Sequence, residues 1–389
     1  MFGRPILLGV TAISTAGLLL AGFSSTSSSE PSQTAPATEQ AFGSATQATF
    51  QAVLDTVRTK FNYPGAQAGI WSPDGTWVGV TGTKGVGSTE PPARDDHTRI
   101  GSLTKPFTVA VILQLAEQGK VALDDPIGKY TPGMANSQTA TLRMLSNMTS
   151  GIPSYTFDEE FLKGFGSDPQ RVFTPQELID YVKGKPASFQ AGTEGEYSNT
   201  NTVLLGMVIE KVTGKPFTDS LKSGITEPLG LTQTSFPAGS PDLPEPYLSG
   251  TTKQGEPEGT VKNATNWNPS WGFTAGAMIS TLDDLHKWGV ALGSGEGVLN
   301  TESQLEREAS KVSRAKGNSP TSTYALGFGV KNGWMGHTGT LPGYNTDVNC
   351  DPKIKTTVVV MVNSDIPLGD GKLPANAIFD GLVAALPKS

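Results

Sequence analysis

The sequence predicts an α+β fold, an antiparallel sheet flanked by helices with a mostly helical insert packed beside it. Two groups of strand-like segments support this, one near residue 66 and one after residue 325. Between them lies a long stretch of helical periodicity and Pro/Gly-rich loops, and a last helical segment closes the chain. The 389 residues suffice for one large domain or two ordinary ones.

In chain order, Arg4 precedes an almost wholly apolar or small run from Ile6 to Phe23, so residues 1–23 read as an export signal peptide. Leu20-Ala21-Gly22 resembles the approach to a lipoprotein cleavage site, but Phe23 stands where a cysteine is needed, so no lipid is expected. The run is close to the lower length for a membrane span, so a membrane tether is expected only if it stays uncleaved. Residues 24–46 mix Ser, Thr, Ala, Gln and Pro, which cannot bury a core, and read as a flexible linker to a domain at 47–389. Phe50, Val53, Leu54 and Val57 mark the first helix. Strands are expected at 66–71 and 77–80, joined through Pro73-Asp74-Gly75. An apolar helix follows at 103–118 and stops at Gly119. Further helices are expected at 201–212, 282–292 and 375–385, and strands at 325–330, 344–350 and 356–362. No internal repeat is visible.

Composition removes several function classes. The net charge of -7, with no dense Lys/Arg run, argues against nucleic acid as a partner. Cys350 is the single cysteine, so no internal disulfide can form, and its strand-like surroundings make it a small packing residue. The three histidines, His97, His286 and His337, are scattered, so no metal and no cofactor is expected. His97, beside Asp95 and Asp96, and His286, in a polar helix segment, both read as surface residues. There is no G-x-S-x-G, which argues against a nucleophile elbow.

Ser102-Leu-Thr-Lys105 carries the first chemical signal. Residues three apart share a helix face, so Lys105 Nζ can reach the Ser102 hydroxyl. A serine needs a base beside it, and a buried amine of lowered pKa can be that base. The pattern alone arises by chance about once or twice in a chain this long. A second copy, Ser313-Arg-Ala-Lys316, lies in a polar stretch and reads as solvated surface, whereas the first opens the most apolar helix. Tyr197-Ser-Asn199 occurs once, between a Gly/Glu loop and a helix. Beside an ammonium its phenol could be held as phenolate or could relay a proton, and Asn199 could orient the lysine or hold a substrate amide. His337-Thr338-Gly339 also occurs once, on a strand-like segment. A strand edge offers backbone groups to an extended substrate, and Gly339 allows close approach.

The three motifs, in this order, resemble those of class C serine β-lactamases and the related D-alanyl-D-alanine carboxypeptidases. The resemblance covers roughly residues 47–386. It includes the run from Tyr197 to Gly214, Pro228-Leu-Gly-Leu-Thr-Gln-Thr234 and Ala275-Gly-Ala-Met-Ile-Ser-Thr281. His337-Thr-Gly-Thr-Leu-Pro-Gly-Tyr344 is closest to the carboxypeptidase branch. The resemblance implies a β-lactamase/transpeptidase-like fold and an acyl-enzyme on Ser102, with Lys105 and Tyr197 moving the proton. It implies an oxyanion hole from the backbone N–H groups of Ser102 and Thr340, with Thr338 and His337 meeting a substrate carboxylate and Trp271 walling the cleft. Where the carboxypeptidase branch often carries arginines before H-T-G, this chain reads Gly327-Phe-Gly-Val-Lys331-Asn-Gly. The expected function is an exported D-alanyl-D-alanine carboxypeptidase-like or β-lactamase-like serine hydrolase. The alternatives are a family VIII-type carboxylesterase or a non-catalytic penicillin-binding sensor of the cell wall. The expected partner is a small molecule or a peptidoglycan peptide, met outside the cytoplasmic membrane.

Overall fold

A strand buries every residue only when both faces of its sheet are covered. Thr356–Val362 is buried along its whole length. In the computed structural model, which describes residues 40–255, 259–312 and 322–387, this segment is the inner strand of a seven-stranded sheet. In chain order the strands are β1 Gly65–Ser72, β2 Gly75–Gly82, β3 Ser322–Tyr324, β4 Gly329–Lys331, β5 Trp334–Leu341, β6 Tyr344–Asp351 and β7 Thr356–Val362. Their spatial order is β2-β1-β7-β6-β5-β4-β3, every pair antiparallel. The first hairpin thus lies against β7, and the two strand groups form one antiparallel sheet, which is as far as the sequence predicts.

Period-two alternation divides the core. Val358, Val360 and Val362 join Ala66, Ala68 and Ile70 in one cluster, with helices α1 Ser44–Phe61 and α5 Pro374–Ala384. Val359 and Met361 face the other way, into the larger cluster with α2 Thr104–Glu117, α3 Asn199–Thr213 and α4 Leu282–Ser294. Phe107 of α2 stacks on Trp288 of α4 at 3.8 Å. The layers are helix, sheet, helix, with the helical insert on the second face.

Four expectations need correction. Residues 325–330 are not one strand. Ala325 N–H donates to Phe328 O at 2.8 Å, closing a turn between β3 and β4, and the apolar side chains there plug the core instead of lining a strand. Residues 40–46 belong to the folded body and not to the linker, because Gln40 O and Phe42 N–H pair with Thr76 and the Phe42 ring packs on Phe50. His97 is buried, its Nδ1 2.9 Å from Pro246 O. His286 stacks on Trp71 at 4.0 Å, and that burial pushes its pKa down to about 4. In both cases a tertiary partner far along the chain covers a ring whose sequence neighbours are polar. Cys350 is a buried β6 residue, its thiol pushed up to about 12 by burial. The signal-like segment, residues 24–39 and Ser313-Arg-Ala-Lys316 lie outside the described residues.

Candidate active site

Ser102 sits in a short 3-10 turn, Gly101–Leu103, that runs directly into α2. The turn is clamped from two sides. Ile100 N–H donates to Met278 O at 3.0 Å, and the Thr346 hydroxyl of β6 donates to Ile100 O at 3.0 Å. Two glycines allow β5 to lie against it. Gly101 has φ +54°, and a Cβ there would stand 2.7 Å from Thr340 N; a Cβ on Gly339 would stand 1.9 Å from Ile100 O. Strand and nucleophile turn therefore touch backbone to backbone.

Lys105 is fully buried one helical turn below Ser102. Its Nζ lies 3.0 Å from Ser102 Oγ, 2.7 Å from Asn199 Oδ1 and 2.7 Å from Ala275 O. Burial holds its pKa well below the ordinary lysine value. Asn199 Nδ2 donates to the Thr156 hydroxyl at 3.1 Å, which turns Oδ1 toward the lysine. Asn199 Oδ1 and Ala275 O can only accept. They engage both hydrogens of a neutral amine and leave its lone pair facing the serine hydroxyl, as a general base requires.

Tyr197 closes the group. Its ring is 38% exposed at the cleft, while its hydroxyl turns inward to hydrogen-bond Ser102. Lys105 Nζ is 4.9 Å from the ring centroid. Burial raises the phenol pKa more than the Ser102 bond lowers it, so the group is held as phenol. Of the two roles the sequence left open for Tyr197, the structure favours the proton relay.

The ladder around β5 fixes which backbone groups face the cleft. Two-residue turns join β4 to β5 and β5 to β6, with Lys331–Trp334 and Leu341–Tyr344 as closing pairs. Alternation from either end points the N–H and C=O groups of Thr338 and Thr340 away from β6. β4 pairs with β5 only as far as Gly336, so the edge from His337 onward has no strand partner. The Thr340 N–H thus lies beside the Ser102 turn, where an oxyanion hole needs it. Asn345 Nδ2 steadies that stretch, donating to Gly339 O at 2.9 Å and to Thr340 Oγ1 at 3.2 Å.

The Thr338 side chain is exposed to the cleft, but His337 is buried. Its Nδ1 lies 2.5 Å from Thr338 O and its Nε2 2.9 Å from the Tyr324 hydroxyl. Burial, and secondarily the neighbouring Lys105, push its pKa down to about 3. His337 is therefore neutral near neutral pH and brings no positive charge to the carboxylate that the resemblance has it meet. Trp271 is half-buried, its ring 5.2 Å from Phe165 and its carbonyl accepting from the Tyr155 hydroxyl at 2.5 Å. It also packs against the small apolar cluster of Leu243, Ile279, Leu341 and Tyr344.

The structure thus gathers Ser102, Lys105, Tyr197, Asn199, Gly339 and Thr340 at one point, with His337 and Thr338 on the adjoining edge. Sequence reasoning missed Ala275 O, Thr156 and Tyr324. Ala275 acts through a carbonyl, which no motif encodes. Thr156 and Tyr324 reach the site from loops and an edge strand without a pattern of their own. Among the described residues no cluster of His, Cys, Asp or Glu could hold a metal ion.

A family model described as Beta-lactamase matches residues 50–382. A D-stereospecific amidohydrolase from Streptomyces sp. superposes with a TM-score of 0.79 at 30% identity, covering 88% of this chain and 99% of that one. The D-amino acid amidase from Ochrobactrum anthropi SV3 superposes at 0.76 and 26% identity, covering 88% and 98%. PbpX of Bacillus subtilis (strain 168), named for the penicillin-binding proteins, is 29% identical over 267 residues. That match takes in 68% of this chain and 61% of PbpX, so the chain spans under two thirds of that relative's length.

Proposed function

The chain belongs to the beta-lactamase family, and from that footing we propose that it is an exported serine hydrolase that forms an acyl-enzyme on Ser102 with amides or esters of D-amino acids. The observation that carries this reading is the Lys105 amine, stripped of solvent and aimed at the Ser102 hydroxyl by two obligate acceptors. Ser102 Oγ attacks the substrate carbonyl carbon and passes its proton to Lys105 Nζ. The oxyanion is met by the N–H groups of Ser102 and Thr340. When the C–N or C–O bond breaks, the proton travels from Lys105 through the Tyr197 hydroxyl to the leaving amine or alcohol. Water then attacks the acyl carbonyl, gives up a proton by the same route and restores Ser102. Burial disfavours the charged form of both base and relay, which suits a serine that loses its proton only as it attacks.

The D-stereospecific amidohydrolase and D-amino acid amidase neighbours support D-amino acid amides as the substrate class, with D-alanyl peptides and β-lactams as related acyl donors. The signal-like residues 1–23 and the linker beyond them support placement outside the cytoplasmic membrane, facing small molecules or peptidoglycan peptides. Among the described residues no helix is long and apolar enough to cross a membrane.

The test is intact-protein mass spectrometry after exposure to benzylpenicillin, with parallel turnover assays on D-phenylalaninamide, a chromogenic ester and a cephalosporin. A penicilloyl adduct on the Ser102 peptide, with amide or ester turnover abolished in Ser102→Ala, is expected. Turnover undiminished in Ser102→Ala would remove the serine from the mechanism. An adduct without turnover of any substrate would make the protein a binding protein.

A further inference from the structure

The resemblance assigns the edge beside Thr338 to a substrate carboxylate, yet its hydrogen-bonding groups are oriented against one. A carbonyl oxygen only accepts, so His337 Nδ1, 2.5 Å from Thr338 O, carries the ring hydrogen. In the neutral ring Nε2 is then bare, and the Tyr324 hydroxyl 2.9 Å away donates to it. With its hydrogen committed inward, the Tyr324 oxygen has only lone pairs left for anything beyond. Tyr324 stands edge-on to Tyr197, ring centroids 6.4 Å apart, at the mouth of the reaction centre.

A pocket of about 370 Å³ opens there and runs from Tyr197, Tyr324 and Thr338 across Gly336 to Asp347 and Asp380. Its lining is rich in acceptors. Asp347 is 2% exposed, and its carboxyl already engages the amide donors of Asn349 at 2.5 Å and Asn376 at 2.8 Å. Lys331 is the cation among the described lining residues, and it lies 3.5 Å from Asp380. A carboxylate placed here could take one hydrogen bond from the Thr338 hydroxyl, but its second oxygen would face the Tyr324 lone pairs with Asp380 nearby, and an anion left against acceptors is costly. A carboxamide would donate to the Tyr324 oxygen and accept from the Thr338 hydroxyl.

We propose that this pocket selects leaving groups that carry a hydrogen-bond donor and no negative charge, so that the enzyme cleaves C-terminally amidated D-dipeptides in preference to the corresponding free acids. Tyr324 is then a specificity-determining residue, acting together with the orientation it imposes on His337. The inference rests on the Ser102 acyl-enzyme reading and narrows its substrate class.

The experiment compares kcat/KM for D-alanyl-D-alaninamide and D-alanyl-D-alanine, each with free and acetylated amino terminus, by mass-spectrometric detection of released D-alaninamide or D-alanine. The amide is expected to be favoured about tenfold or more, the scale set by leaving one buried polar group unmatched. In His337→Lys, which places a cation at this edge, the ratio is expected to move toward the free acid. Equal rates, or preference for the free acid, in the unmodified enzyme would overturn the proposal and leave the Ser102 reading intact. So would Ser102-dependent ester cleavage with neither dipeptide touched. Dipeptide cleavage unchanged in Ser102→Ala would strike the underlying mechanism itself.

Discussion

Burial without a carboxylate partner holds Lys105 below its ordinary pKa, and the same physics acts in the opposite sense on Asp347. Desolvation raises the Asp347 carboxyl to about 7, only partly offset by the Asn376 and Asn349 amides. The folded protein therefore keeps a proton that the unfolded chain releases near pH 4, so this group makes stability fall as pH rises from about 4 to about 7. Asp347→Asn should erase that slope, at most about 1.4 kcal/mol per pH unit, and gain relative to the parent more at pH 8 than at pH 5. Urea titrations at the two pH values measure it; an unchanged difference would show the carboxylate ionised in the fold. His286 and His337, with lowered folded pKa values, act the other way, adding stability as pH rises toward about 6.5. At this scale the sequence was legible where chemistry repeats as a motif. Ser102, Lys105 and Tyr197 announced themselves by spacing and type. The protonation of His337 did not, because its partner Tyr324 sits on a strand whose position no local pattern reveals.

Among the elements, β5 does most to define the site, and it does so by lacking side chains where it touches the nucleophile turn. Gly339→Ala would drive a methyl to 1.9 Å from Ile100 O and 2.4 Å from Thr346 Oγ1. Neither neighbour can withdraw: one is backbone and the other is hydrogen-bonded to it. The strand must shift by a good fraction of an ångström, carrying the Thr340 N–H off the oxyanion position. The expected loss is about 100-fold in kcat, with stability lowered by about 1–3 kcal/mol. A variant with parental kcat and melting temperature would show that the contact is not needed. The helices and the long strands were readable from periodicity, since each buries one face or both. The turn at 325–328 was not, because a buried apolar plug and a buried strand have the same composition.

For the whole molecule, the sequence foretold an antiparallel sheet built from both ends of the domain and a helical insert between them. Strand order, the burial of His97 and the stacking of His286 on Trp71 depend on contacts between distant segments that one sequence does not display. Residues 40–46 were assigned to the linker for the same reason. Residues 40–43 are polar or small apart from Phe42, and their ordering comes from pairing with Thr76. A chain starting at Ser44 should therefore melt a few degrees below one starting at Gln40, since it loses the Phe42 contact with Phe50 and three backbone bonds. Equal midpoints by calorimetry would assign those residues to the linker after all.

The pairing of β1 with β7 has a further consequence in time. Gly65 N–H reaches Asn363 Oδ1 at 2.7 Å across 298 positions of chain. The chain must be present as far as Asn363 before the sheet can knit. Until then the first hairpin has an open flank and the nucleophile turn has no strand to lean on. Such long-range closure makes folding slow, and the reaction centre cannot assemble until β5, β6 and β7 are in place.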